Sequence, residues 1–215
     1  MAKKSVFISS EHGFHKEEFD YEFFPGFALV QKQKNVESIE KSIHSKYPNY
    51  KVLEVSTKSK DDLGILLSAF NLKYGQIPVE SIFQSAKVFV DDTQFDFLIN
   101  YSPREAKKYI KEHSKGQLKC FRYKSIDYPL FPKTAFYDFL YIQALMQNSE
   151  VSKKLISYDA FTDVEFNPKK SINCQARTCS IYSFLLKSNK AKEYLSSFDK
   201  FIEIYSLDDE ISLFD

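Results

Sequence analysis

The chain has 215 residues, 43% hydrophobic and 27% charged in nearly equal signs, enough for one sizeable core and outside the composition of disordered chains. A net charge of +1 gives no overall field toward nucleic acid, so any DNA contact has to come from a local lysine patch. Five glycines speak against a turn-rich all-β barrel, no apolar run is long enough to cross a bilayer, and the opening MAKKSVFISS lacks the apolar block of a secretion signal, so a cytoplasmic protein without membrane contact is expected.

In chain order, Ser5 to Ile8 and the aromatic run Phe19 to Phe27, broken by Pro25 and Gly26, read as short strands or extended segments joined by a turn. Lys32 and Lys34 sit just before a helical pattern at Val36, Ile39 and Ile43, with Asn35 as its N-cap. The apolar Phe27, Ala28, Leu29 and Val30 are expected to anchor this lysine pair at the margin of a core, where burial depresses an amine pKa; a solvated helix entrance is the alternative. Tyr50 to Val55 reads as a strand, STKSKDD as a turn, and LGILLSAFN leads through Asn71 into a second turn. Pro78 then opens a helix from a first-turn position, and Asp91 and Asp92 end it. Ser102, Pro103 and Glu105 spell a capping box, with Gly116 closing that helix and a loop or short strand following over Gln117 to Leu130. A longer helix with a wide apolar face spans Pro132 to Gln147, and Ser149 opens a short one through Leu155. Phe161 to Phe166 alternates as an extended segment with Asp163 and Glu165 on one side. A helix from Asn173 to Lys187, a helical piece over Tyr194 to Phe201 and an acidic tail, DDEISLFD, complete the chain. The predicted class is α+β, predominantly helical, in a single domain with a few short strands.

The chemistry concentrates in PVESIFQSAKVF, residues 78 to 89. Ile82, Ala86 and Phe89 face a core at helical spacing, while Glu80, Phe83, Gln84 and Lys87 recur on another side and place an acid, an aromatic, an amide and a base together. By itself this set also reads as an exposed face with Phe83 at its edge. There is no phosphate-binding glycine loop, no nucleophile elbow, and no metal-ligand spacing among Cys120, Cys174, Cys179 and the four histidines; the thiols are expected to be reduced and mostly buried, and neither metal nor cofactor is expected. Glu80, Asp163 and Glu165 with Lys32, Lys34 and Lys87 would suit cleavage of an N-glycosidic bond, a carboxyl handling the proton and a lysine either attacking a ring-opened sugar aldehyde or holding phosphate. Each pair alone reads as readily as a salt bridge.

LSAFN followed by VESIFQSAKVF resembles the NADAR (YbiA-like) family, whose pattern runs roughly LSNF and then EHYFQAQKF. Glu80, Phe83, Gln84 and Lys87 match the second motif position by position, while Ser81 and Ile82 replace its His-Tyr pair. SPREAKK at 102 to 108 is similar to the family's SP-x-x-A segment, and ALMQNSEVSKKLISYDAFTDVE at 144 to 165 to the segment that puts Glu165 at the family's Glu. The family core would span residues 53 to 187, with 1 to 52 an N-terminal extension packed on it and 188 to 215 a C-terminal helix and tail. FFPGFALVQKQK, KTAFYDFLY and AFTDVEFNPKKSINCQA resemble the NADAR branch that acts as antitoxin to DarT-type DNA ADP-ribosyltransferases. The family's Trp before the central helix has only Tyr128 as a counterpart, and its Trp-Gly near the last block is absent, with Asn167 to Asn173 in its place.

The resemblance implies removal of ADP-ribose from the guanine bases of DNA by hydrolysis of the N-glycosidic bond, with ADP-ribosylated DNA and ADP-ribose as ligands and a DarT-type toxin as functional counterpart. Glu80 is then the general acid/base and Lys34 or Lys32 the amine acting on the sugar. Asn71, Phe83, Gln84, Lys87, Arg104, Tyr128, Asp163, Glu165 and Asn173 bind substrate, with Phe83 or Tyr128 stacking on a base. Two other readings stay open: an N-glycosidase of a riboflavin-pathway intermediate, and a non-catalytic module that binds the toxin or ADP-ribosylated DNA.

Overall fold

A computed structural model describes residues 1–206. The acidic tail read at 208–215 lies outside the described residues. The fold is α+β and predominantly helical, and the chain divides into two compact parts, residues 69–147 and the segments on either side of them.

In the flanking part, β1 (Ala2–Ser9) and β2 (Phe14–Tyr21) form an antiparallel hairpin with Ala2 opposite Tyr21. β3 (Val52–Glu54) and β9 (Ala160–Thr162) extend the sheet in the order β2-β1-β9-β3, with β9 antiparallel to β1 and parallel to β3. β1 is buried continuously from Lys4 to Ser9 because it is an inner strand: β9 pairs on its far side and a helix, α7 (Gln175–Lys187), packs against it. β2 is an edge strand and alternates instead, burying Phe14, Phe19 and Tyr21 while exposing Lys16, Glu18 and Asp20. That charged outer row hid Phe14–Tyr21 from a reading keyed to the aromatics after Phe19. α1 (Leu29–Lys46) lays Val36, Ile39 and Ile43 toward the sheet, where the two isoleucines cluster with Val6, Ile8, Phe19, Tyr21 and Ala160. α2 (Asp62–Leu66), capped by the Asp61 side chain, passes so close to β3 that a Cβ at Gly64 would collide with the Glu54 carbonyl oxygen and the Ser59 side chain.

Two expectations about α1 are corrected. Asn35 is not its N-cap, because the good helix formers Gln31 to Lys34 carry the helix back to Leu29. Asn35 is instead buried in the second turn, where its side chain accepts from the Phe24 N–H at 2.9 Å and donates to the Phe24 and Gln31 carbonyls at 2.8 and 2.9 Å. The apolar run does not anchor the lysines in a core either: Phe27 is 96% exposed, and Ala28, Leu29 and Val30 are also at the surface.

In residues 69–147, β4 (Lys73–Tyr74) and β5 (Ile77–Pro78) form a small hairpin that delivers the chain into α3 (Val79–Ser85). Pro78 is the residue before the helix and not part of its first turn. The expected helix to Phe89 stops at Ser85, because Lys87–Phe89 forms β6 and pairs with β7 (Leu118–Tyr123) in a sheet of order β6-β7-β8, where β8 is Ile126–Tyr128. Strand pairing of Val88 and Phe89 overrides a pattern that fits a helix equally well. The turn joining β7 and β8 places Lys124 and Ser125 at φ 50° and 61°, a left-handed pair without the Gly or Asn that marks such turns in a sequence. α4 (Pro103–His113) has the expected capping box and buries Ala106 and Ile110 against Phe89 and Leu98. α5 (Ala135–Met146) is buried on nearly all sides and packs on α3.

Candidate active site

Every residue of α3 is buried, including Glu80, which is 7% exposed in the first turn. A carboxylate in that position needs partners, and the local sequence supplies them. Gln84, one turn on, donates from Nε2 to Glu80 Oε1 at 2.8 Å. Lys87 donates from Nζ to Gln84 Oε1 at 2.6 Å, so it reaches back to the helix although its backbone belongs to β6. An ammonium only donates and a carboxylate only accepts, which fixes the Gln84 amide with its nitrogen toward Glu80. A second cation, Lys107 of α4, stands 3.7 Å from the same Glu80 oxygen. Burial lowers the Lys87 pKa from 10.5 to about 8, against the attraction of Glu80 and with some help from Lys107.

The aromatic neighbours form the floor of this cluster. Phe83 is 7% exposed, its ring centroid 5.3 Å from Phe121 and 5.2 Å from Tyr137, with the Lys87 ammonium 5.1 Å from the ring centre. Tyr128, at the end of β8, is half-buried with its ring 4.8 Å from Phe136. Arg104 is exposed in the first turn of α4, and Asn71 is exposed in the turn before β4. Thus Glu80, Gln84 and Lys87 form one hydrogen-bonded chain, with the Lys87 ammonium over the Phe83 ring.

The remaining candidates belong to the flanking part. Lys32, in the first turns of α1, pairs with Glu165 at 2.9 Å, and Lys34 is exposed with its Nζ 5.9 Å from the Phe24 ring centre. Asp163 and Glu165 do not share a side of an extended segment: β9 ends at Thr162, the chain turns, and Asp163 is buried while Glu165 is exposed. Asp163 Oδ1 accepts from the Glu165 and Phe166 N–H groups at 3.0 and 3.1 Å, so it organises the turn that presents Glu165 to Lys32. Asn173 precedes α7, and its Oδ1 is buried without a hydrogen-bond partner among the described residues.

Three residues escaped the sequence reading. Glu54 is 5% exposed and accepts from Ser56 Oγ, Thr162 Oγ1 and the Val164 N–H at 2.5, 2.6 and 2.8 Å. Lys4, 8% exposed, donates to the Phe166 carbonyl at 2.7 Å and lies within the electrostatic reach of both Glu54 and Asp163. Burial, and for Asp163 also the neighbouring Glu54, pushes both carboxyls up, Asp163 to about 7. The signal available for Glu54 was a lone charge inside the apolar run Val52 to Val55; for Lys4 it was its position within a strand. Lys107, the third, differs from any surface lysine only through the packing of α4 on α3.

Beyond geometry, the family described as the DarT1-associated NADAR antitoxin matches residues 2–212. The chain belongs to the DarT1-associated NADAR antitoxin family. No curated protein matches it. The family match takes in α1 with Lys32 and Lys34 as well as the α3 motif, and it implies a DarT toxin as the counterpart of this antitoxin. Among the described residues, no helix is long and apolar enough to cross a membrane and no group of three His, Cys, Asp or Glu side chains could hold a metal ion.

Proposed function

We propose that this NADAR antitoxin is a hydrolase that removes ADP-ribose from guanine bases of DNA and so reverses the modification made by a DarT-type ADP-ribosyltransferase. The observation that carries the reading is the buried Glu80 carboxyl, held through Oε1 by Gln84 with Lys107 beside it. Its Oε2 is assigned to the substrate. In the reaction the bond between the anomeric carbon and the guanine amino nitrogen breaks, and water adds to that carbon. Glu80, as the carboxylate that Gln84 holds, takes a proton from the attacking water and passes it to the departing nitrogen. Lys87 and Gln84 keep the carboxyl in place, Tyr128 stacks on a base, and Arg104 and Asn71 bind polar parts of the substrate. Asn173 offers an unsatisfied acceptor to a substrate donor, and Asp163 and Glu165 shape the surroundings of Lys32. Lys32 or Lys34 is the amine proposed to act on the sugar by an alternative course, in which it attacks C1 of the ring-opened sugar, the guanine amine departs, and water then hydrolyses the imine to return the lysine and free ADP-ribose. Borohydride trapping during turnover should label one of them, and labelling of neither removes that role.

The test is incubation with a guanine-ADP-ribosylated oligonucleotide, following free ADP-ribose. Release supports the proposal. Tight binding without release would replace it with a binding module. Neither binding nor release, together with hydrolysis of the ribosylamine phosphate of riboflavin synthesis, would replace it with a metabolic glycosidase.

A further inference from the structure

α4 carries Arg104, Lys107, Lys108 and Lys111, all exposed. The spacings of three, one and three place them within an arc of roughly 100° on the helix surface. Ala106 and Ile110 are buried on the opposite side. A solvated helix face normally mixes signs so that neighbours at three and four residues attract. Here Arg104–Lys107, Arg104–Lys108, Lys107–Lys111 and Lys108–Lys111 are all like-charged neighbours. Of the two acids on the helix, Glu105 is engaged with Ser102 in the capping box, and Glu112 stands 3.9 Å from Lys108. The stripe therefore holds mutual repulsion that a polyanion would relieve. It also has a direction, because Lys107 reaches Glu80 Oε1 at 3.7 Å. A net charge of +1 gives no overall field toward a polyanion, so electrostatic attraction has to come from a local patch.

We propose that this face of α4 is a phosphate track that holds the sugar-phosphate backbone of DNA beside the modified guanine. The assignment rests on the reading of Glu80 as the group that acts on DNA-linked ADP-ribose. Its contacts are with phosphate, so it adds affinity and salt dependence without base selectivity.

The experiment is fluorescence anisotropy with a labelled, unmodified single-stranded oligonucleotide over a range of salt concentrations. It compares the wild type, the α4 double variant Lys108→Gln with Lys111→Gln, and a charge-matched control, Lys153→Gln with Lys154→Gln, on the surface helix Ser149–Leu155. Circular dichroism establishes that all three are folded. Loss of two phosphate contacts should reduce the slope of log affinity against log salt by about 1.4 in the α4 variant, with the control at the wild-type slope. Equal slopes in all three proteins, an equal drop in the control, or no binding by the wild type would overturn the track. The readout needs no turnover, so it separates from the hydrolase proposal. Stripe-dependent binding without ADP-ribose release keeps the track and removes the hydrolase, and release without stripe-dependent binding does the reverse.

Discussion

Glu80 and Lys87 are opposite charges kept on either side of one amide, and burial holds the Lys87 amine below its ordinary pKa. Its folded pKa of about 8 lies below the ordinary 10.5, so between those values the unfolded chain binds more protons and stability rises with pH. Below about 8 the penalty is present in full. Urea unfolding of the wild type and Lys87→Met at pH 7 and pH 10 should show the wild type gaining on the variant by on the order of 3 kcal/mol at most. Parallel profiles would show that Lys87 is not desolvated. Asp163 has the opposite sign. With its carboxyl pushed from 3.8 to about 7, the folded state binds more protons between those values, so its contribution is complete below 3.8 and fades as pH rises through 7. Asp163→Asn keeps an oxygen for the Glu165 and Phe166 N–H groups, and should flatten the stability profile between pH 4 and 7 and leave the protein at least as stable at pH 8. A steeper profile in the variant would contradict the assignment. Four of the candidate side chains were legible because helical spacing alone put Glu80, Phe83 and Gln84 together and Lys87 within reach. Glu54, Lys4 and Lys107 were not, because their roles depend on which strand or helix lies against them.

At the scale of elements, two short signals decide much of the local structure. The capping box at Ser102 and Glu105 starts α4 in register with its basic stripe, and Ser102→Ala should cost about 1 kcal/mol in thermal or urea unfolding. Gly64 does more. Because a side chain there meets the β3 backbone at Glu54, Gly64→Ala should destabilise the fold by on the order of 3 kcal/mol, and an unchanged unfolding midpoint would mean that α2 can move away from β3 at little cost. Capping at Ser102 could be read directly because its chemistry is local. The end of α3 could not, since Lys87, Val88 and Phe89 suit helix and strand alike until β7 supplies a partner. The β7–β8 turn was equally hidden, because Lys124 and Ser125 adopt left-handed backbone without the usual residues. Asn35 shows the same ambiguity in one side chain: an amide that can cap a helix can also clamp a loop, and only the path of residues 24–31 decides which.

For the whole molecule, the helical and strand patterns along the chain gave the helical α+β class, and the order of the short blocks gave the family that residues 2–212 match. A net charge of +1 gave nothing about where a polyanion would meet the protein, since the α4 stripe is balanced by acids elsewhere in the chain. The activity itself turns on one carboxyl. The most direct measurement follows ADP-ribose release from a guanine-ADP-ribosylated oligonucleotide by the wild type and Glu80→Gln side by side, with urea unfolding of both. Release by the wild type and a loss on the order of 10² to 10⁴ in rate for a folded variant is the expected result. Equal turnover by the two proteins would contradict the role given to Glu80.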